Sequence, residues 1–388
     1  MKNKFVITII GAVLIFLVAF YVGQNSVVCK VCAPEDVDMS LLWEAWYEIE
    51  ENYVDPNFDY QKMVYGAISG MIGSLDDPYT TFFDPEEAKS FLEDVSGKFE
   101  GIGAEIGIRD DQLQVVAPIE GTPAEKAGLR PGDKIIKIDD TVAVDITIEE
   151  AVTLIRGDRG TEVTLTIMRS GWDSTKEFKI KRAIIIVPSI KMELLEDNIA
   201  YIKLYHFSEN SDRDFSKAAL DILNSSAKKI ILDLRSNPGG YLERAQDIAG
   251  WFLERDKVVV IEDFGAKRDK EYYLANGNSK FTDYPVVVLI NEGSASASEI
   301  LAATLRDNRN IQLIGETSFG KGSVQTLHNL TDGSSLKITI AKWLTPNGNL
   351  IADKGLDPDI NVEITEDDWT NERDPQLDKA IEIIREMN

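Results

Sequence analysis

Two stretches in the last third of the chain hold the side chains best suited to nucleophilic chemistry. In the first, the apolar run Val286-Val287-Val288-Leu289-Ile290 gives way to a turn of small residues, Gly293-Ser294-Ala295-Ser296-Ala297-Ser298, and a helix begins near Ala297. A serine there stands at a helix N-terminus, where unpaired backbone N–H groups and the helix dipole stabilise a developing oxyanion. Serines at such a place also act simply as N-caps, and spacing alone does not choose among Ser294, Ser296 and Ser298.

The second stretch reads Gly315-Glu316-Thr317-Ser318-Phe319-Gly320-Lys321-Gly322-Ser323-Val324-Gln325. It nearly matches a phosphate-binding loop, but Gly322 stands where the metal-binding Ser or Thr belongs, and Val324 to Leu327 reads as strand rather than helix. The nucleotide reading therefore fails on both counts. A lysine set between glycines and beside apolar strands can instead lose its charge to desolvation and act as a general base. Its ordinary pKa of ~10.4 must then fall a long way. The two histidines, His206 and His328, have no small-residue loop around them and read as surface or packing residues. A third segment, Ile230 to Gly240, runs as a buried strand into Asn237-Pro238-Gly239-Gly240, whose free N–H groups can complete an oxyanion hole or form a plain turn.

A different chemistry is written in the middle of the chain. Gly101-Ile102-Gly103-Ala104 precedes an alternating strand, Glu105 to Ile108. Such a turn leaves backbone N–H groups converging on an anion, and the strand offers an edge to an extended peptide, so a C-terminal carboxylate suits both.

These segments need a scaffold, and the sequence divides into one. With 388 residues, 44% apolar and 28% charged, the chain is long enough for two to three globular domains at ~150 residues each. The net charge of −25 repels phosphate backbones, so no nucleic-acid partner is expected. Two cysteines and two histidines give no disulfide framework and no metal site of the usual kind. Neither a metal nor a cofactor is expected.

Residues 1–22 read as a cytosolic stub and an uncharged apolar segment, Phe5 to Val22, preceded by Lys2 and Lys4. That pattern predicts a single-pass anchor with the N-terminus cytoplasmic and everything else in the periplasm or on the outer cell surface. A cleaved signal peptide is the competing reading, but the exit Val22-Gly23-Gln24-Asn25-Ser26 is a poor cleavage site. Residues 23–38 form a linker in which Cys29 and Cys32 read as idle thiols ahead of a redox pair or an intermolecular disulfide. Residues 39–95 are helical, with Leu42, Trp46, Ile49 and Tyr53 on one face and an N-cap at Asp84. These helices could pack on their own chain or form a homodimer contact. Residues 96–182 switch to short strands with two small helical insertions. Across 183–364 apolar strand runs (Lys229 to Leu234, Val258 to Ile261, Val286 to Ile290, Ile311 to Ile314) alternate with helices, which predicts an α/β core with a mostly parallel sheet. An acidic stretch and an amphipathic helix, Pro375 to Glu386, fill 365–388.

Taken in order, these motifs resemble the carboxyl-terminal processing peptidases, or tail-specific proteases, a Ser/Lys serine-peptidase family with a PDZ domain. The resemblance rests on Gly66-Ala67-Ile68-x-Gly70-Met71, Leu75-Asp76-Asp77-Pro78-Tyr79, and Thr122-Pro123-Ala124-x-x-Ala127-Gly128-Leu129 with Gly132-Asp133. It extends to Asp233-Leu234-Arg235-x-Asn237-Pro238-Gly239-Gly240, the Ser294 to Glu299 turn, the lysine segment, and Asp374-Pro375-Gln376-Leu377. It implies a PDZ-like β module inserted before a crotonase-like α/β catalytic core; with the transmembrane anchor and helical segment read above, the expected protein is α+β and multidomain. It further implies Ser296 as nucleophile, Lys321 as general base, and Gln325 orienting the lysine amine. The oxyanion donors would be the backbone of Gly240 or Gly239 and of Ala297, with Gly101, Ile102, Gly103 and Ala104 binding a substrate carboxylate. Asp307 matches an aspartate of structural role.

The expected activity is that of a serine-type endopeptidase acting on protein substrates with free C-terminal tails. A non-catalytic PDZ adaptor on the same scaffold would need none of Ser296, Lys321 and Gln325. An acyl-CoA enzyme, implied by the crotonase-like fold alone, conflicts with an export segment.

Overall fold

The computed structural model describes residues 37–387, apart from positions 56, 110, 111, 120, 145, 353 and 372. The apolar segment 5–22 and both cysteines therefore lie outside the described residues. Among the described residues no helix is long and apolar enough to cross a membrane.

The chain forms two units, dividing at Val64/Tyr65. In the first, the helix Ser40–Asn52 buries none of its residues. Leu42, Ile49 and Tyr53 of its expected apolar face are exposed. Trp46 stacks on Tyr60 at 5.9 Å, within the same unit.

The second unit is built on a six-stranded sheet in the order Ile190–Leu195, Ile199–Leu204, Lys229–Asp233, Val286–Ile290, Gln312–Gly315, Ile360–Asn361. The first pair is antiparallel and the others are parallel. Its central strands are unbroken apolar runs because both faces are covered. Ile230, Leu232, Val286, Val288 and Ile290 face the main core, which includes the helices Ser211–Leu223, Leu242–Phe252 and Ala297–Arg309. Ile231, Val287 and Leu289 face the other way, onto Ala380 and Ile384 of the C-terminal helix Pro375–Glu386.

One expected strand changes sheets. Val258–Asp263 joins an antiparallel sheet ordered Thr81–Phe83, Ser335–Leu344, Val258–Asp263, Glu271–Leu274, with Ser323–Asn329 also paired to Ser335–Leu344. Val259 and Val260 are fully buried, so this run looks like a parallel core strand in sequence while its neighbours run the opposite way.

The β module from residue 96 to 182 is an insertion with a neck. Lys98–Gly101 leads in and Ala183–Ile186 leads out, paired antiparallel from Lys98↔Ile186 to Gly101↔Ala183. Between them a sheet runs Ala104–Arg109, Gln112–Pro118, Lys134–Ile138, Glu162–Met168, Lys176–Lys181. The two helical insertions are Pro123–Lys126 and Ile148–Ile155, the latter started by a Thr147/Glu150 capping box. Its core is separate from that of the parallel sheet and centres on Val115, Ile135, Val163, Leu165 and Ile167.

Candidate active site

The three serines of the 294–298 turn have different fates. Ser294 and Ser298 are fully buried, and their hydroxyls donate to the carbonyls of Leu234 (2.8 Å) and Asn237 (2.9 Å). Those bonds tie the turn to the 234–240 loop. Ser296 is half-buried and lines a cavity of about 690 Å³ together with Lys321, Gln325, Gly239, Gly240 and Ala297. Its backbone sits at φ 56°, ψ −115°, a conformation that costs a non-glycine residue about 1–3 kcal/mol. The following helix, Ala297–Arg309, begins immediately and ends on a left-handed Asn310.

What holds Ser296 in that conformation is Glu299. Its carboxylate is buried and accepts four bonds: Ser296 N (2.8 Å) and Lys321 N (3.1 Å) on Oε2, Gly320 N (2.7 Å) and Ser318 Oγ (2.6 Å) on Oε1. Burial pushes its pKa up, and these same donors oppose the rise. One side chain thus fixes the serine turn against the lysine segment.

Lys321 sits where the Gln312–Gly315 strand has ended and the Ser323–Asn329 strand is about to begin. Gly322 is required there because a Cβ would collide with the backbone of Ile351 and Ala352. Burial holds the Lys321 ammonium below the ordinary lysine range; the positive charge of Lys337 adds to this and Glu299 opposes it. Its Nζ makes no hydrogen bond to a described residue. Gln325 stands on the adjoining strand, and its amide nitrogen donates to Ser323 Oγ at 2.7 Å.

The glycine loop covers the serine closely. A Cβ on Gly239, whose φ is +100°, would lie 2.8 Å from Ser296 Cβ and 3.0 Å from Ala297 N. The N–H of Gly239 already donates to Asn237 Oδ1 at 2.9 Å. The N–H groups of Gly240 and Ala297 have no partner among the described residues. Of the two glycines, Gly240 is therefore the one with a donor to spare. Asn237 secures the loop by donating its Nδ2 to Leu204 O at 2.7 Å.

The flanking motif residues form a clamp outside the cavity. Arg235 is bidentate to both Asp233 and Asp374, and Tyr201 Oη donates to Asp233 Oδ2 at 2.6 Å. This ties the glycine loop to the start of the C-terminal helix. Asp307 accepts from Asn347 N at 3.0 Å, away from the cavity. In the β module, Gly101, Ile102, Gly103 and Ala104 line a small cleft of about 70 Å³ with Ile106, Val152 and Ile155.

Comparison with known proteins places this geometry. The chain is 41% identical over 365 residues, 94% of its length, to the carboxy-terminal processing protease CtpA of Bacillus subtilis (strain 168), covering 78% of that protein. The chain belongs to the carboxy-terminal processing proteases of peptidase family S41. It is a serine-type peptidase. Residues 198–362 match peptidase family S41, 114–169 a PDZ domain, and 24–87 the N-terminal domain of the activating protease CtpB. Carboxy-terminal processing protease CtpB of the same Bacillus strain is 38% identical over 85% of this chain and 69% of its own. Among solved structures, the photosystem II D1 C-terminal processing protease is similar with a TM-score of 0.51 and 28% identity, over 84% of this chain and 93% of that one.

Three features of this carboxy-terminal processing protease escaped sequence reasoning. Glu299 has a signal, the Ser-x-x-Glu spacing of a capping box, but not one that reveals its bonds to Gly320 and Lys321. His206 lines the same cavity with its Nε2 buried and unbonded, and burial lowers its pKa against the pull of Asp214. Lys337 lines it too, from the next strand of the hairpin, which carries no motif. His328 is exposed, as the sequence indicates.

Proposed function

We propose that the chain is a membrane-anchored serine endopeptidase that holds the C-terminal tail of protein substrates in its PDZ domain and cuts nearby with a Ser296/Lys321 dyad. Residues 5–22 would hold it in the membrane, with the N-terminus cytoplasmic and the catalytic part in the periplasm or on the outer cell surface. The observation that carries the reading is that Ser296 alone of the three turn serines opens on the cavity it shares with a desolvated lysine. The names of the two Bacillus relatives support action on carboxy-terminal regions.

In this mechanism the neutral amine of Lys321 takes the Ser296 hydroxyl proton as Oγ attacks the scissile carbonyl carbon. The oxyanion of the tetrahedral intermediate accepts from the N–H groups of Gly240 and Ala297. The Lys321 ammonium then returns its proton to the leaving amine, and the C–N bond breaks to give an acyl-serine. Water, deprotonated by Lys321, hydrolyses that ester and restores the serine. Gln325 would position the amine through its side-chain oxygen. Incubating the purified chain with an unstructured polypeptide and analysing products by mass spectrometry tests this. Internal cleavage that Ser296→Ala abolishes is expected, and an intact polypeptide with the wild-type chain would overturn the reading.

A further inference from the structure

Lys337 is a cation of the cavity that touches no reacting atom in the mechanism and acts there only by depressing the pKa of Lys321. It stands on the Ser335–Leu344 strand opposite Leu327, two residues from Thr339, which is opposite Gln325. Gln325, Leu327 and Lys337 all line the cavity that holds Ser296. Two residues of strand span about 7 Å, so Lys337 lies within a few substrate residues of the point of cleavage.

Its surroundings are prepared for a charge but do not neutralise it. The ammonium lies 5.2 Å from the Phe83 ring centre and 5.3 Å from that of Phe91, and the side chain is half-buried. It makes no ion pair or hydrogen bond with a described residue. The acid whose charge reaches it, Asp77, is already engaged by Tyr79 N (3.0 Å) and Thr80 Oγ1 (2.6 Å). Glu243 is the carboxylate of the cavity lining, and it is exposed. The lining also includes the apolar Phe91, Val95, Leu327, Ile340 and Trp343. In a chain with a net charge of −25, a desolvated and unpaired ammonium in a peptide-sized cavity selects an anion brought by the substrate.

We infer that Lys337 is a specificity residue that binds a substrate carboxylate within a few residues of the scissile bond, and this rests on the peptidase reading of the cavity. The carboxylate is either an Asp or Glu side chain or the C-terminal α-carboxylate of a short tail. A carboxylate held in this way forms charge-assisted hydrogen bonds in a partly dry site, an effect of about tenfold in specificity.

The test uses the full chain as wild type, Lys337→Met and Lys337→Arg, on one quenched fluorogenic peptide series whose cut site is fixed by mass spectrometry. One arm places Asp or Asn at each of three positions on either side of the cut, all with amidated C-termini. The other compares free and amidated C-termini on short tails. For the wild type, kcat/KM should favour Asp over Asn about tenfold at one position, or the free over the amidated short tail. That preference should fall to about one in Lys337→Met and persist in Lys337→Arg. Because each ratio is compared between enzymes, tail binding by the PDZ domain cancels. Should Lys337→Met melt early, Lys337→Gln supplies the neutral variant. Preferences unchanged by removing the charge, or no carboxylate preference in the wild type, would overturn the inference. Peptide affinities measured by fluorescence anisotropy on Ser296→Ala chains, with and without Lys337→Met, separate the two readings. Lys337-dependent binding without any hydrolysis by the wild type would remove the peptidase mechanism and leave the carboxylate site standing.

Discussion

Glu299 joins the backbones of Ser296 and Lys321 through a single carboxylate oxygen, accepting from their N–H groups at 2.8 and 3.1 Å. The two residues proposed to exchange a proton are thus held in register by main chain, not by their own side chains. Glu299→Ala leaves four donors without their partner, Gly320 N and Ser318 Oγ buried and Ser296 N and Lys321 N half-buried, and at about 1–3 kcal/mol for each buried donor a stability loss of at least ~2 kcal/mol is expected with loss of activity. Glu299→Gln is nearly as harmful, because its NH₂ must face either Ser296 N and Lys321 N or Gly320 N and Ser318 Oγ. Thermal melts and peptide hydrolysis on both variants check this; a fully active Glu299→Gln chain would contradict it.

The serines of the turn should separate cleanly by substitution. Ser296→Ala removes a hydroxyl that opens on the cavity, and should abolish hydrolysis with the melting temperature unchanged. Ser294→Ala and Ser298→Ala each remove a buried bond to a loop carbonyl, and should cost roughly 1 kcal/mol of stability while retaining activity. Lys321→Ala should match Ser296→Ala, and the double variant should be no worse than either, because the pair acts as a unit. Activity surviving in Ser296→Ala would move the nucleophile elsewhere.

Activity should rise with pH, and the direction follows from burial. Desolvation disfavours the charged form of Lys321, so its folded pKa lies below that of a free lysine, and only the neutral amine accepts the serine proton. The value of kcat/KM should therefore climb and then level at a lower pH than an exposed lysine would give. Lys337 contributes to that depression, so Lys337→Met removes a like charge and should move the rising limb to higher pH. Glu299 acts in the opposite sense, and His206, nearby on the cavity wall, is held toward its neutral form by burial. A rate that peaks below pH 6 and then falls would contradict a lysine base.

Much of this arrangement was legible in the sequence because its signals are local. The Ala297–Arg309 helix follows from small residues after an apolar strand, and Val324 to Leu327 reads as strand, as the Ser323–Asn329 strand bears out. The Asp84 cap and the Pro375–Glu386 helix match their local patterns as well. What stayed hidden is what depends on which strands pair and what packs on them. Val258–Asp263 reads like a core strand whichever sheet it joins, since burial on both faces removes the alternation that would tell them apart. Lys337 reaches the site only because its strand pairs with the one that carries Gln325. The exposed faces of the first helix show the reverse failure, for a helical period gives a stripe but not what covers it.

The cleft proposed to receive the substrate tail is small, and this limits what it can seat. Ile102 N and Gly103 N have no partner among the described residues, so both are available to a terminal carboxylate. The cleft they line is about 70 Å³ and also includes Phe99, Ile106, Val152, Ile155 and Arg156. Gly103, at φ +78°, cannot yield space, because even a Cβ there would lie 2.5 Å from Thr122 Cβ. A terminal Ala or Val side chain suits such a small cleft better than an indole. On one unfolded substrate with a tail long enough to reach the cleft, the expected order of cleavage rates is Ala or Val, then Phe, then Trp at the last position. Amidating the terminus should reduce the rate about tenfold for the small residues, as loss of a charge-assisted pair implies. For Trp the amide should change little, since that tail seats poorly. Equal rates across the series, with or without the amide, would take the Gly101 to Ala104 turn out of substrate selection.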